Sequence, residues 1–193
     1  MANFSAVIGD QYVVPHETQL TIQKKEMSLH DGNFTITDAK GKSLFHLTDK
    51  TVSLHDKKTL YDAENKPVVS LQKKTFTMHN TFEVYAGDTD HKLFSLKKAN
   101  IIGGVETYEV FVEGSPGNKA DYVVKGNFAE RDYNIEKGDF IAADIDKKHS
   151  FFGGGKHKYG VKVKSGVDQA FVAAVVVIVD SIHTEEKGDS DSD

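Results

Sequence analysis

Cysteine is absent from the 193 residues. There is therefore no disulfide framework and no thiolate chemistry, which fits a reducing compartment. A strong charge of either sign is also lacking from the body of the chain. The formal net charge is −5, but the last nine residues, EEKGDSDSD, hold five acids and one lysine, and the rest carries 23 Lys+Arg against 24 Asp+Glu. Bulk charge thus gives no nucleic-acid signal, and affinity for anions must come from local patches. The opening residues, MANFSAVIGDQ, lack the basic stretch and apolar core of a signal peptide. Long apolar runs are missing too, with one exception. The expectation is a soluble, cytoplasmic protein forming one domain.

The exception is Gly166 to His183, GVDQAFVAAVVVIVDSIH, in which every residue from Ala170 to Val179 is apolar. A bilayer-spanning helix needs roughly 17–25 apolar residues, so this run is too short. Asp168 and Asp180 bracket it. A segment apolar on every face has to be surrounded by protein on every face.

What surrounds it is a repeat. Leu44-Phe45-His46-Leu47, Val68-Val69-Ser70-Leu71 and Leu93-Phe94-Ser95-Leu96 follow one another at offsets of 24 and 25 residues. Each comes after a turn: Asp38-Ala39-Lys40-Gly41-Lys42, Asp62-Ala63-Glu64-Asn65-Lys66 and Gly87-Asp88-Thr89-Asp90. Gly and Asn accept positive φ, and Asp bonds its own backbone two residues on. Before each turn stands a short alternating segment, Phe34–Ile36, Thr59–Tyr61 and Phe82–Tyr85, with the period of a half-buried strand. Further strands are expected at Thr18–Lys25, Tyr108–Val112, Tyr122–Lys125, Asp132–Glu136, Phe140–Asp146 and Tyr159–Lys164. Counting both strands of each repeat gives about twelve, a β-meander whose edges are best managed by closure into a barrel.

A barrel of that number is too wide to fill with its own side chains, since about eight strands is the limit. The apolar run is the natural filler. Its valines also suit a buried strand. Its length, and the Ser165-x-x-Asp168 spacing of a capping box, favour a helix of about fifteen residues, ~22 Å long. The fold class expected is all-β with one buried helix: a twelve-stranded antiparallel β-barrel enclosing a hydrophobic C-terminal α-helix. Its plug residues are Asp168, Phe171, Val172, Val175, Val176, Ile178 and Val179. Residues 12–183 form the domain, with tails at 1–11 and 184–193.

Gly126-Asn127-Phe128-x-Glu130-Arg131-Asp132-Tyr133-x-Ile135 and Tyr159-Gly160-Val161-x-Val163-x-x-Gly166-Val167-Asp168-x-Ala170-Phe171, ending in Val177-Ile178-Val179-Asp180, resemble the LURP-one-related family. Phe34-Thr35-Ile36-x-Asp38-x-x-Gly41 and Met78-His79-x-x-Phe82-Glu83-Val84-Tyr85 agree with it. Many members carry Trp where this chain has Phe82. The family is similar in fold to the tubby C-terminal domain and, more remotely, to phospholipid scramblases. The resemblance implies the same barrel threaded by a helix. Tubby domains bind phosphoinositides at the membrane, and plant members of the family are associated with defence responses.

The residues themselves offer two anion-binding candidates. The segment from Lys147 to Lys158 holds Lys147, Lys148, Lys156 and Lys158 around Phe151-Phe152 and three glycines. Cations for anionic headgroups beside an aromatic wedge are what a membrane-docking loop needs. The plainer reading closes one barrel end with the phenylalanines and leaves the lysines solvated. Ser150 and His157 break the P-loop pattern. The second candidate is the lysine doublets Lys24-Lys25, Lys73-Lys74 and Lys97-Lys98; the last two end equivalent strands and would share a rim, where lysine commonly serves solubility. Nine scattered histidines show no metal-ligand spacing, and no nucleophile motif appears. No cofactor, metal or catalytic residue is expected.

The reading is a non-enzymatic membrane-surface or phosphoinositide-binding adaptor, peripheral at the plasma membrane. Its partner would be an anionic phospholipid or a protein. The alternatives are a signalling scaffold without lipid contact and, third, a barrel that carries apolar ligands. A filled lumen argues against the third, and a helix held inside the barrel argues against scramblase activity.

Overall fold

The computed structural model describes residues 5–24, 33–49, 57–74, 80–99, 105–146 and 158–190. A 3-10 turn at Asp10–Tyr12 precedes twelve strands and one helix: β1 Thr18–Lys24, β2 Phe34–Asp38, β3 Ser43–Asp49, β4 Lys57–Asp62, β5 Pro67–Lys73, β6 Thr81–Ala86, β7 Lys92–Lys98, β8 Thr107–Val112, β9 Tyr122–Asn127, β10 Asp132–Lys137, β11 Phe140–Asp146, β12 Lys158–Val163 and α1 Gln169–Ser190. Each strand pairs antiparallel with the next in sequence, and β1 pairs with β12, so the meander closes into a barrel.

Alternation decides which residues face the lumen. Ile36 lies opposite Phe45, Phe34 opposite Leu47, Val84 opposite Phe94 and Phe82 opposite Leu96. All eight are buried. Directly opposed residues share a face of the sheet, so one inward row runs round the barrel. The repeat visible in the sequence is a repeat of turn chemistry. Asp38 Oδ1 accepts from the N–H groups of Lys40 (2.8 Å) and Lys42 (2.9 Å), and Asp62 Oδ1 does the same for Glu64 (3.0 Å) and Lys66 (2.8 Å). Three residues on, Gly41 and Asn65 take the positive φ that closes each turn, 81° and 62°. A bulge precedes the turn in all three hairpins, at Ile36/Thr37, Leu60/Tyr61 and Val84/Tyr85. Bulges bend and twist a strand, as closure requires.

Helix α1 lies along the barrel axis, and Ala170 to Ile182 are buried without interruption. Phe171 anchors its first turn between Phe94 (5.2 Å between ring centroids) and Tyr122 (4.6 Å). The cap differs from the Ser165 expectation. Asp168 is itself the N-cap: its Oδ1 accepts from Phe171 N–H at 3.0 Å, and its carbonyl takes the first helical bond from Val172 N–H at 3.2 Å. Ser165 is exposed.

Two boundaries also shift. Residues 5–11, part of the segment expected to be an N-terminal tail, form a strap across the mouth where α1 begins. Asp168 Oδ2 accepts from the N–H groups of Ile8 (2.8 Å) and Gly9 (3.1 Å). Val13 bridges Asp168, Gly166 N–H donates to Val14, and Tyr12 packs edge-on against Phe45 at 5.7 Å. Burial pushes the Asp168 carboxyl up, while the surrounding N–H groups pull it back. At the other end α1 runs on to Ser190, through the first part of the expected acidic tail, and spans 22 residues.

Val176→Asp places an unpaired charge on the barrel axis and abolishes folding; a soluble mutant that unfolds cooperatively in urea would contradict the enclosed helix. Asp168→Asn turns an amide NH2 toward the Ile8 and Gly9 donors. It is expected to cost about 2–3 kcal/mol in urea titration and to open the strap to limited proteolysis. Unchanged protection before Val13 would rule out the strap's dependence on that carboxylate.

Candidate functional site: the mouth where the helix leaves the barrel

The two barrel ends are built differently. At the α1 N-terminus the hairpin turns are short and carry both signs of charge: Asp38, Asp62, Glu64, Asp88, Asp90 and Asp139 beside Lys40, Lys42, Lys66, Lys92 and Lys137. At the other end β4 starts with Lys57-Lys58, β5 runs out through Lys73-Lys74, and β7 ends with Lys97-Lys98. The lysine doublets therefore meet on one rim, with β6 between β5 and β7.

Register then splits each doublet. Lys73 lies opposite Phe82 and Lys98 opposite Tyr108, both buried, so these two occupy inward positions. Lys97 pairs with Glu109 on the outer face and places its ammonium 4.3 Å from the Phe111 ring centroid. Lys74 stands beyond the strand and bridges Glu83 at 2.9 Å. Burial raises the Glu83 carboxyl, but hydrogen bonds from Tyr85 and Lys74 outweigh it and hold it below its ordinary value. The same bond, 2.6 Å long, pushes the Tyr85 phenol up to about 12.

Two more lysines belong to the inward row. Lys58 lies opposite Leu71, and Lys24 opposite Phe34. The row thus ends on lysine in β1, β4, β5 and β7, and on an aromatic in β2 (Phe34), β6 (Phe82), β8 (Tyr108), β10 (Tyr133) and β12 (Tyr159). Lys24 was singled out in the sequence only as half of the doublet Lys24-Lys25, and Lys58 not at all. A signal existed: Leu20-x-Ile22-x-Lys24, Val69-x-Leu71-x-Lys73 and Phe94-x-Leu96-x-Lys98 each carry the apolar alternation one step further into a lysine.

Arg131 completes the mouth; in the sequence it stood only within the family motif, with no site role. The four-residue turn joining β9 to β10 holds it at φ 54°, an unusual conformation for a bulky side chain. Its guanidinium donates to Asp180 Oδ1 at 3.1 Å and lies 4.7 Å from the Tyr159 ring centroid. Lys24 Nζ stands 4.0 Å from Asp180 Oδ2 and donates to Thr184 Oγ1 at 3.2 Å. The helix is thus fastened by its last buried carboxylate. Cations at a helix C-terminus also complement its dipole. Burial, then the Asp180 charge, holds the Tyr133 and Tyr159 phenols well above their ordinary value, so both stay neutral. Beside them Gly126 has φ 147°. A Cβ there would meet Asp132 O and Tyr133 Cα at 2.5 Å, so only glycine allows this turn.

Lys98 bridges Glu106 at 2.7 Å. Of the other candidates, Lys158 opens β12 on the outer face of this rim, opposite Gln23. Lys147, Lys148, Phe151, Phe152 and Lys156, like His149 and His157, lie outside the described residues. Among the described residues no group of three or more His, Asp and Glu could hold a metal, and no helix is long and apolar enough to cross a membrane. Chemically, the mouth offers ammonium and guanidinium donors above an aromatic layer.

A model of LURP-one-related proteins matches residues 18–180. The chain belongs to the LURP-one-related family. Its relatives include LURP-one-related 15 of Arabidopsis thaliana, 35% identical over 94% of this chain and 87% of that protein. LURP-one-related 10 of the same plant is 32% identical over 95% of this chain and all of its own length. An Arabidopsis thaliana protein solved by X-ray diffraction shares the fold with a TM-score of 0.74 at 28% identity, covering 93% of this chain and 99% of that one. The family model starts at β1, so the strap that seals this LURP-one-related barrel lies upstream of the matched region.

Arg131→Ala strands the Asp180 carboxylate and is expected to cost about 3 kcal/mol or more in urea titration. Removing both charges, as Arg131→Met with Asp180→Leu, restores part of that loss; a double mutant as unstable as the two single effects combined would exclude the coupling.

Proposed function

We propose that this LURP-one-related barrel is a non-enzymatic adaptor that attaches peripherally to anionic, phosphoinositide-bearing membrane, with the helix-exit rim facing the lipid. The observation that carries the reading is the gathering of three lysine doublets, Lys57-Lys58, Lys73-Lys74 and Lys97-Lys98, at the rim where α1 leaves the barrel. An anionic leaflet attracts that rim, so charge orients the barrel as well as holding it. Each lysine near such a surface contributes about 1 kcal/mol, within a Debye length of about 10 Å. The axis is filled by α1, which leaves the wall and rims as the surfaces on which function is carried.

Flotation on vesicles of neutral phosphatidylcholine, of phosphatidylcholine with phosphatidylserine, and of phosphatidylcholine with phosphatidylinositol bisphosphate tests the reading. Recovery is expected on the two anionic compositions and falls as salt rises from 50 to 300 mM, roughly the range over which screening acts at these distances. Equal recovery on neutral and anionic vesicles would overturn it, as would none on either anionic composition; a partner that survives rim substitutions in pull-down would then favour the signalling scaffold.

A further inference from the structure

We infer that a single internal water molecule is bound at the foot of the helix-exit mouth, between Tyr159, Asp180 and Lys24. The inference stands apart from the membrane reading. Two buried polar atoms in this corner have no hydrogen-bond partner among the described residues, the Tyr159 hydroxyl and Asp180 Oδ2. Tyr159 is fully enclosed, and Asp180 is buried. Leaving such an atom unpaired lowers the folding constant about tenfold or more. Native proteins commonly satisfy atoms of this kind with an ordered water.

Arg131 brings the two groups against one neighbour. Its guanidinium lies 4.7 Å from the Tyr159 ring centroid and donates to Asp180 Oδ1 at 3.1 Å. The other oxygen, Oδ2, faces Lys24 Nζ at 4.0 Å. That gap is too long for a hydrogen bond, and one water about 2.8 Å from each side closes it. Register puts Lys24 on the same wall as the phenol. Tyr159 lies opposite Ile22, and Lys24 is the next inward residue of β1. Diagonal neighbours of this kind stand about 7–8 Å apart, within reach of long side chains. The chemistry of the three groups selects the occupant. Oδ2 only accepts, and Nζ only donates. Burial, then the Asp180 charge, keeps the phenol neutral, so it retains a proton to donate. Water accepts from Tyr159 and Lys24 and donates to Asp180, which gives it the three bonds usual for a buried water. A cation would meet Arg131 and Lys24 around one carboxylate, and an anion would meet that carboxylate.

The test is a double-mutant cycle in the full chain, read by urea unfolding. Tyr159→Phe removes one donor to the water, and Lys24→Met removes another while keeping most of the stem. Tyr159→Phe is expected to raise the unfolding constant about fivefold. Lys24→Met raises it further, because the bond to Thr184 is lost as well. The double mutant is expected to fall short of the product of the two effects by about fivefold, since either change alone already frees the water. Diffraction from crystals of the parent chain, at a resolution that shows ordered solvent, is expected to place one water within hydrogen-bond distance of Tyr159 Oη, Asp180 Oδ2 and Lys24 Nζ. Exchanging potassium chloride for choline chloride at equal ionic strength is expected to leave the parent's urea midpoint unchanged.

A Tyr159→Phe chain as stable as the parent, or more stable, would overturn the water, because a buried hydroxyl with nothing to bond is better removed. Effects that multiply without coupling would overturn it too, as would a map in which the hydroxyl bonds a protein atom directly. A midpoint that follows potassium would put a bound cation in its place. Where the double mutant does not fold, Tyr159→Phe and the map decide. None of these outcomes bears on adhesion to vesicles.

Discussion

A helix with no polar face has to be taken out of water on every side, and the barrel exists to do that. From Ala170 to Ile182 the burial of α1 is unbroken. A helix with its side chains is about 10–12 Å across, more than the lumen of an eight-stranded barrel accommodates. Twelve strands supply the width. The inward row then has a single task along most of its length, packing Leu, Val, Ile and aromatic side chains against a cylinder of valine and alanine. The small residues Ala170, Ala173 and Ala174 let the wall approach. A vacant lumen for an apolar cargo is incompatible with this arrangement.

The helix also makes the two ends of the barrel unequal. Its N-terminus presents unpaired N–H groups and a partial positive charge, and Asp168 answers both. The carboxylate then has a second oxygen, which gathers Ile8 and Gly9 and draws the strap over that mouth. The C-terminus has the opposite polarity and tolerates cations. Lys24 and Arg131 hold Asp180 there, and more lysines follow on the wall. One end is sealed by hydrogen bonds to an acid; the other is left cationic around an emerging helix. Which mouth carries Lys24, Arg131 and the lysine doublets is a consequence of which way the helix threads the barrel.

Much of this architecture was legible beforehand because it rests on local rules. Strand alternation, Asp-led turns with Gly41 or Asn65 three residues on, and an apolar run without a polar face each operate within a few residues. The twelve strands fall where those signals place them, and β11 has the expected bounds, Phe140–Asp146. Local rules misplaced the cap, because Ser165 and Asp168 both satisfy the spacing and only the path of the chain into α1 selects between them. They read the lysine doublets as units, when alternation sends Lys73 inward and leaves its neighbour outside. They took residues 5–11 for a tail, since nothing within that segment announces an acceptor more than 150 residues away.

By itself, then, the sequence determined the kind of elements, their order, and the necessity of enclosing Ala170–Val179. These follow from period, turn chemistry and hydrophobicity, which are properties of neighbours in the chain. The tertiary structure decided the rest. It brought Arg131 to Asp180 and Ile8 to Asp168, and it assigned Lys24, Lys58, Lys73 and Lys98 to the mouth. Those outcomes depend on the phase of every strand relative to the barrel axis, and on which end of the helix points where. Alternation says which face of a strand turns inward, but only closure of β1 onto β12 around α1 sets which residues meet across the barrel and which mouth each inward lysine reaches.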